Sequence, residues 1–276
     1  MTNPVVHTQI RKVAAASASD INDVLATEDP LEIKLLYGPV HNRRQQSLSV
    51  TMRTPGHDPE LVKGFLFSEG IIRQHDDIKD IALADKAEGS VATVALKESV
   101  APDLQHSNRN FTATAACGVC GKTDIANIHT GVNVSKGEAF VIPSSLIYQL
   151  PETLRSQQDV FDATGGLHAA ALFDRNGNLL ILREDIGRHN AVDKLIGAAL
   201  TQRLIPLHTH LMLLSGRAGF ELIQKAAMAG ISLIAAVGAP SSLAVKMADT
   251  WNITLIGFLR EQRFNIYTKP ERIEIR

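Results

Sequence analysis

The spacing of hydrophobic and polar positions changes partway along the chain. In the first third, alternation over Leu31–Tyr37 and Ser47–Met52 predicts two strands joined by a polar turn. A helix is expected with Asp58 as its N-cap and Pro59 as its first helical residue, and it is expected to end at Gly70. A second hairpin is predicted within residues 81–96. These elements make a small α+β unit.

Beyond residue 140 the apolar runs become short and alternate with helical patterns. The predicted elements are helix Ser144–Gln157, hairpin strands His168–Phe173 and Leu179–Leu182, helix Arg188–Arg203, strand Leu211–Leu214, helix Phe220–Met228, strand Ser232–Ala236, helix Leu243–Thr250 and strand Thr254–Phe258. Short buried strands that alternate with helices indicate parallel pairing in a sheet covered by helices.

These patterns divide the chain into three parts. Residues 1–28 lack a sustained period and are expected to form a flexible N-terminal tail. Residues 29–133 are predicted to form a small α+β domain that ends in a cysteine-containing loop. Residues 134–276 are predicted to form an α/β domain, so the fold class is α/β, or α+β overall.

Composition limits the possible partners. The chain has 276 residues, of which 45% are hydrophobic, which is enough for a packed core. Its net charge of −1 would not draw it to nucleic acid or to an acidic membrane. We find neither a secretory signal nor a run of about eighteen apolar residues, and we expect a soluble, cytoplasmic protein.

The two cysteines of the chain, Cys117 and Cys120, lie together in the loop Ala-Cys-Gly-Val-Cys-Gly. Gly118 and Gly121 keep side-chain bulk away from the sulfurs, so that a large partner can reach them. Lys122 follows directly, and a nearby cation lowers the pKa of a thiol. The loop therefore suits an accessible, reactive thiol.

Other roles for the pair remain open. A structural disulfide is typical of secreted chains with more cysteines, and a closed zinc site needs four ligands, whereas this chain has a single Cys-x-x-Cys pair. We therefore predict no metal. A redox pair of the thioredoxin type would follow the first strand of a βαβ unit, and residues 111–116 are weakly strand-like. A thiol that carries a chemical group is favoured.

Four loops are predicted at the carboxyl ends of strands, where open α/β sheets bind ligands. They are Glu184–Asn190, Ser215–Gly219, Gly238–Ser242 and Phe258–Arg263. Small residues there expose backbone N–H groups at helix starts, which attract phosphate. A diphosphate-bearing ligand fits this set, and its candidate contacts are Ser215, Gly216, Arg217, Arg188, His189, Arg260 and Arg263. His168, by contrast, is interpreted as a structural histidine.

Several motifs of other enzyme classes do not occur. We find no Gly-x-Gly-x-x-Gly and no Walker pattern, which disfavours dinucleotide redox enzymes and P-loop NTPases. No His-x-Glu precedes the Cys-x-x-Cys, which disfavours zinc deaminase chemistry.

Six blocks of sequence, in order between about residues 30 and 270, resemble the formate dehydrogenase accessory sulfurtransferase family. They are Phe67-Ser68-Glu69-Gly70-Ile71-Ile72, the cysteine loop, Thr164-Gly165-Gly166-Leu167-His168-Ala169-Ala170, Glu184 to Lys194, Ser215-Gly216-Arg217 and Gly257 to Arg263. One departure is Gly219, which stands where a serine is expected.

The resemblance implies a sulfur carrier with Cys117 and Cys120 as catalytic residues. A cysteine desulfurase would load sulfur on Cys117, for delivery to the molybdenum of the bis-molybdopterin guanine dinucleotide before that cofactor enters formate dehydrogenase. GDP would be a fragment ligand. The resemblance also implies a homodimer, a three-layer cytidine-deaminase-like domain without zinc whose mixed sheet is largely parallel, and cofactor contacts from Phe258, Leu259, Arg260, Glu261, Gln262 and Arg263.

Two other functions remain open at this stage. One is a chaperone that binds the molybdenum cofactor without sulfur chemistry. The other is a dithiol oxidoreductase that uses a Cys117–Cys120 disulfide. The role of Cys120 is also open, because it could relay sulfur, resolve a persulfide or tune its neighbour.

Overall fold

A computed structural model describes residues 3–104, 111–112 and 140–276. Cys117, Cys120 and the predicted domain boundary at residue 133 lie outside the described residues. The other predicted site residues lie within them.

The first described elements are two strands, β1 (Val5–Ala14) and β2 (Ser17–Ala26), which pair as an antiparallel hairpin. We expected a flexible tail in residues 1–28, and the sequence did not predict this pair of regular strands. The strands are held by their ladder of backbone hydrogen bonds while most of their side chains stay exposed. Because few apolar side chains of these strands are buried, the alternation of apolar and polar residues that marks a strand is weak in this part of the sequence.

A five-stranded sheet follows, with helix α1 (Asp58–Ser68) packed on it. Its order is β5-β6-β3-β4-β7, and β3 runs parallel to β6 but antiparallel to β4. The four predicted strands are confirmed, with bounds β3 (Asp29–Tyr37), β4 (Arg44–Arg53), β5 (Ile78–Lys86) and β6 (Gly89–Leu96). The short β7 (Phe111–Thr112) lies in the stretch that was only weakly strand-like in the sequence. Short 3-10 turns cover Val40–Asn42 and His75–Asp77.

Arg53, at the end of β4, is a fully buried cation that joins three elements of this unit. Its Nε donates to Oδ1 of Asp58 at 2.9 Å, and its guanidinium also donates to the Ser90 hydroxyl at 3.0 Å. We expected Asp58 to cap α1; instead it is the first helical residue and pairs with Arg53. The start of α1 is thereby fixed to β4 and β6.

The second sheet has six strands in the order β10-β9-β11-β12-β13-β14. Within residues 140–276 its parallel pairs are β11 with β12 and β12 with β13, and its other pairs are antiparallel. A mixed sheet is confirmed, but the expectation that it is largely parallel is wrong, because antiparallel strands extend it on both sides. Its strands are β9 (His168–Phe173), β10 (Leu179–Asp185), β11 (Leu211–Leu214), β12 (Leu233–Ala236), β13 (Thr254–Arg260) and β14 (Arg263–Thr268).

Helices cover both faces of this sheet. One face packs against α5 (Arg188–Thr201), α6 (Phe220–Met228) and α7 (Ser242–Thr250). The other face packs against α2 (Ser144–Ile147) and α3 (Leu150–Arg155), which replace the single helix predicted there. The three layers agree with the expected architecture, while the likeness to cytidine deaminase stays a prediction.

The remaining elements of this half are short. Helix α4 (Asp159–Thr164) was not predicted, and strand β8 (Ile142–Pro143) pairs in parallel with β15 (Ile273–Glu274). A 3-10 turn covers Pro270–Arg272. Among the helices in the described ranges, none has the length and apolar character that crossing a bilayer requires.

One hydrophobic core runs from the first sheet through α1 and α5 to the second sheet, and a second core lies on the opposite face of the second sheet. Alternate residues of β3 (Leu31, Ile33, Leu35) contribute to the first core from one side. The two predicted units therefore share one core, with α1 and α5 between the sheets.

Helices α1 and α5 cross at two glycines. A Cβ built on Gly64 would lie 1.8 Å from the carbonyl oxygen of Asp193, and one built on Gly197 would lie 1.8 Å from that of Glu60. Backbone meets backbone at both points, so no side chain larger than hydrogen fits.

We expect Gly64→Ala to lower the free energy of unfolding by about 3 kcal/mol or more, because the added methyl forces the two helices apart. Urea denaturation measures this loss. Gly166→Ala is the matched control, since its added Cβ would have no neighbour closer than 3.9 Å. Similar unfolding midpoints for the two variants would contradict the close crossing.

An ion pair also joins α1 to the second sheet. Arg183 of β10 donates two hydrogen bonds to the Glu60 carboxylate, at 2.5 Å and 2.8 Å. Burial alone would raise the pKa of Glu60, but the bonds from Arg183 and His57 outweigh it and lower that pKa to about 2. The folded state therefore favours ionised Glu60.

The Glu60 pair gives a defined pH dependence. Its stabilisation is present above the ordinary pKa of 4.5 and is lost as the pH falls towards 2, because the unfolded chain takes up the proton first. We expect Glu60→Gln to be less stable than the parent at pH 7 and closer to it at pH 3. Thermal unfolding at both pH values measures the difference, and an equal difference at both would contradict this assignment.

Candidate functional site

The structure brings the predicted loops to one edge of the second sheet. Strands β10, β11, β12 and β13 all reach this edge at their carboxyl ends, and β9 begins there, with His168 opposite Asp185. We call this edge the rim and define it as residues 168–169, 185–190, 215–219, 238–242 and 258–263.

Backbone hydrogen bonds join the loops beyond the strand ends. Ser215 N donates to Ala169 O at 3.0 Å, Gly238 N to Gly216 O at 3.0 Å, and Phe258 N to Gly238 O at 3.1 Å. The rim is thus a continuous backbone structure.

The loop that follows β11 contributes three predicted contacts. The Ser215 hydroxyl accepts a hydrogen bond from Ala169 N at 2.8 Å, so it helps to hold β9 in addition to any ligand role. Gly216 lies against the ring of His168, and the side chain of Arg217 is exposed. Gly219 begins α6 without a side-chain cap.

The segment Phe258–Arg263 forms the outer end of the rim. Phe258 has a positive φ of 55° and is 37% exposed, whereas Leu259 is fully buried among apolar residues. The side chain of Leu259 therefore does not face solvent at the rim. Glu261 and Gln262 form an exposed turn.

Arg260 and Arg263 lie directly opposite each other across this turn. Within the described ranges neither has an ion pair, and the same holds for Arg217. Like charges in opposing positions repel, and a bound anion would relieve that repulsion.

Arg188 and His189 begin α5. His189 Nε2 lies 2.8 Å from Oε2 of Glu221 in the first turn of α6, and both side chains are largely buried. His189 thus has a protein partner, which the sequence prediction did not anticipate. Glu221 follows Ser215-Gly216-Arg217 closely in the sequence, so it could have been proposed as a partner of a rim residue.

His168 lies at the rim where β9 begins, between β10 and β11. Burial lowers the pKa of its imidazole below the ordinary 6.5, and the neighbouring Arg188 and His189 lower it further. The ring is therefore neutral at pH 7. Sequence reasoning treated this residue as structural and ranked His189 above it.

A buried ion pair lies beneath the rim. Lys194 Nζ is 2.7 Å from Asp185 Oδ2, and the two side chains are 1% and 0% exposed. Lys194 also donates to the carbonyl oxygens of Thr54 at 2.8 Å and Glu184 at 3.2 Å. The second carboxylate oxygen of Asp185 accepts from Gly187 N at 2.8 Å, which fixes the start of α5.

The N-terminal unit takes part in this network. Thr54 N donates to Asp185 at 3.2 Å, and the Thr54 hydroxyl accepts from Ile186 N at 3.2 Å. Asn190 Nδ2 donates to Met52 O at 2.7 Å. The end of β4 therefore supports the loop that carries Arg188 and His189. Asp193 and Lys194, which lie among apolar residues of α5, could have indicated this network from the sequence.

A second buried pair anchors α5 to α6. Lys225 Nζ donates to both carboxylate oxygens of Asp193, at 2.7 Å and 2.8 Å, and Ser68 of α1 donates to the same carboxylate. Burial alone would lower the pKa of Lys225, but the nearby carboxylates, chiefly that of Asp193, raise it. Three helices meet at this pair.

The rim is chemically suited to an anion. It presents exposed arginines and the amino ends of α5, α6 and α7, of which α7 is capped by Ser241. In the described part of the chain, no group of three or more His, Cys, Asp or Glu could hold a metal ion. The fold and the rim together describe an α/β protein with exposed arginines at one edge of its second sheet.

Comparison with known proteins identifies the family. The model of the FdhD/NarQ family matches residues 26–274, and the chain belongs to this family.

The chain is similar over its length to curated sulfur carrier proteins. It is 44% identical over 280 residues to the sulfur carrier protein FdhD of Mycobacterium tuberculosis, covering 97% of this chain and 98% of that one. It is 45% identical over 253 residues to the FdhD of Picrophilus torridus, covering 92% and 93%.

A solved structure has the same fold. A crystal structure assigned to a formate dehydrogenase accessory protein of Desulfotalea psychrophila matches with a TM-score of 0.77 and 22% identity, and the match covers 99% of this chain and 100% of the other.

The pair beneath the rim is open to a direct test. We expect Lys194→Met to lower the free energy of unfolding by about 3–5 kcal/mol, because it leaves the Asp185 charge buried without its cation. Lys246→Met, at an exposed position of α7, is the control and should change stability by about 0.5 kcal/mol or less. Chemical denaturation distinguishes the two, and a mild effect at Lys194 would show that the pair is not essential to the fold.

Proposed function

We propose that the chain is a sulfurtransferase that carries sulfur for the maturation of formate dehydrogenase. The observation that carries this proposal is the 44% identity, over 97% of the chain, to relatives named as sulfur carrier proteins. Cys117 and Cys120 are the chain's only sulfur nucleophiles, and they lie within the region that matches the family.

The thiol chemistry begins with a cysteine desulfurase that bears a persulfide. The Cys117 thiolate attacks the terminal sulfur, the sulfur–sulfur bond of the donor breaks, and the desulfurase cysteine leaves as a thiolate. Cys117 then carries the persulfide. Lys122, two residues past Cys120, favours the ionised thiol that this attack requires.

The proposed sulfur acceptor is the molybdenum of the bis-molybdopterin guanine dinucleotide, which acts here as a substrate. Exposed Arg217, Arg260 and Arg263, together with the helix starts of the rim, support binding of its diphosphates. The exposed ring of Phe258 offers a flat surface for a base. Ser215, Gly216, Arg188 and His189 complete the proposed contact set.

We propose a cysteine desulfurase and formate dehydrogenase as the protein partners, a homodimer as the assembly, and the cytoplasm as the location. A reducing cytoplasm keeps free thiols available, which the chemistry of Cys117 requires.

Replacement of Cys117 by Ala tests the function. The parent protein, incubated with a cysteine desulfurase and cysteine, should gain about 32 Da on Cys117, the mass of one sulfur atom, and the variant should gain none. Cells that carry the variant as their sole copy should lack formate dehydrogenase activity. Mass spectrometry and an activity assay of the same cells measure the two effects.

Two outcomes would favour the other functions. Full formate dehydrogenase activity with Cys117→Ala would leave only a chaperone role. A reversible Cys117–Cys120 disulfide without sulfur loading would indicate a dithiol oxidoreductase. Cys120→Ala is the companion variant, and its loading shows whether the second thiol is needed to accept sulfur.

A further inference from the structure

We propose that His168 is a further ligand-contacting residue of the rim, and that its imidazole donates a hydrogen bond to a phosphate oxygen of the nucleoside diphosphate end of the acceptor. This inference rests on the proposed function, because it assumes that the rim binds the guanine dinucleotide.

The position of His168 is tightly fixed. It faces Asp185 in the β9–β10 register, and its neighbour Ala169 is held to Ser215 by two hydrogen bonds, at 2.8 Å and 3.0 Å. An ideal Cβ on Gly216 would lie 3.2 Å from His168 Nδ1 and 3.3 Å from Cε1. The absence of a side chain at Gly216 is what leaves room for the ring.

The ring keeps its hydrogen-bonding capacity. His168 lies half-buried at the rim, and within the described ranges neither ring nitrogen has a hydrogen bond. His189, in contrast, is engaged with Glu221. A neutral imidazole has one N–H donor and one acceptor nitrogen, so His168 can donate to a phosphate oxygen without carrying charge itself.

The charges around His168 favour an anion. The Arg188 guanidinium and the His189 side chain of α5 lie near the ring, and Asp185 of β10 opposes the charge of Arg188, although Asp185 is itself paired with Lys194. Glu221 of α6 pairs with His189, and the β11 loop adds the exposed Arg217. A phosphate bound here would raise the pKa of His168, so binding should be accompanied by proton uptake.

Calorimetric titration of the full-length chain with GDP tests the inference. We expect His168→Ala to weaken GDP binding roughly tenfold, the loss of one hydrogen bond to a charged group. His168→Gln, which retains a donor, should bind within about threefold of the parent. Comparison of buffers with different ionisation enthalpies should show less proton uptake for His168→Gln than for the parent, because the titration of GDP itself is common to both.

A further variant separates contact from folding. His210→Gln is the matched control: burial lowers the pKa of His210 as well, but this residue precedes β11 at the opposite end of the strand. Circular dichroism confirms that each variant is folded.

The outcomes are distinct. If the parent binds GDP and His168→Ala binds it equally well, this inference is overturned and the proposed function stands. If the parent binds no GDP, the inference and the proposed acceptor site both fall, while sulfur loading of Cys117 still reports separately on the sulfur chemistry.

Discussion

The close crossing of α1 and α5 is the constraint on which the rest of the structure depends. Gly64 and Gly197 let two backbones touch, and this contact brings the first sheet close enough to share a core with the second. It also brings the end of β4 within hydrogen-bonding distance of the loop before α5, where Thr54 and Met52 meet Asp185, Ile186 and Asn190. Without that approach, the buried charges of this region would lack their partners.

Backbone hydrogen bonds between neighbouring loops hold the rim together, and these loops fix the positions of its side chains. Hydrogen bonds between Ser215 and Ala169, Gly216 and Gly238, and Gly238 and Phe258 extend the sheet past the ends of its strands. Buried ion pairs below then hold the helix starts in place. If the rim binds the proposed acceptor, these bonds organise it in advance, which reduces the entropy that binding must overcome.

Much of the fold could be predicted from the sequence, because apolar periodicity reports burial directly. Strand β11 and helix α6 have the predicted bounds. The N-terminal hairpin could not be predicted, since its stability comes from backbone pairing and its side chains are mostly exposed. Strand β14 was not predicted either, although the alternation of Phe264 and Ile266 with exposed residues is typical of a half-buried strand.

The site was predictable in its loops but less so in its partners. Strand order places carboxyl ends together, so the gathering of Ser215, Gly238 and Phe258 at one edge followed from topology. His189 pairs with Glu221, and Thr54 hydrogen-bonds to Asp185, across elements that are remote in sequence. Hydrophobic periodicity carries no information about such contacts.

The left-handed backbone at Phe258 and Glu261 has an evolutionary consequence. Glycine adopts this conformation at lower energetic cost than either residue. Selection for thermal stability alone would therefore favour glycine at both positions. At residue 258 that substitution would discard the exposed aromatic ring. Retention of phenylalanine in so unfavourable a conformation would indicate selection for what the ring touches rather than for a sturdier turn.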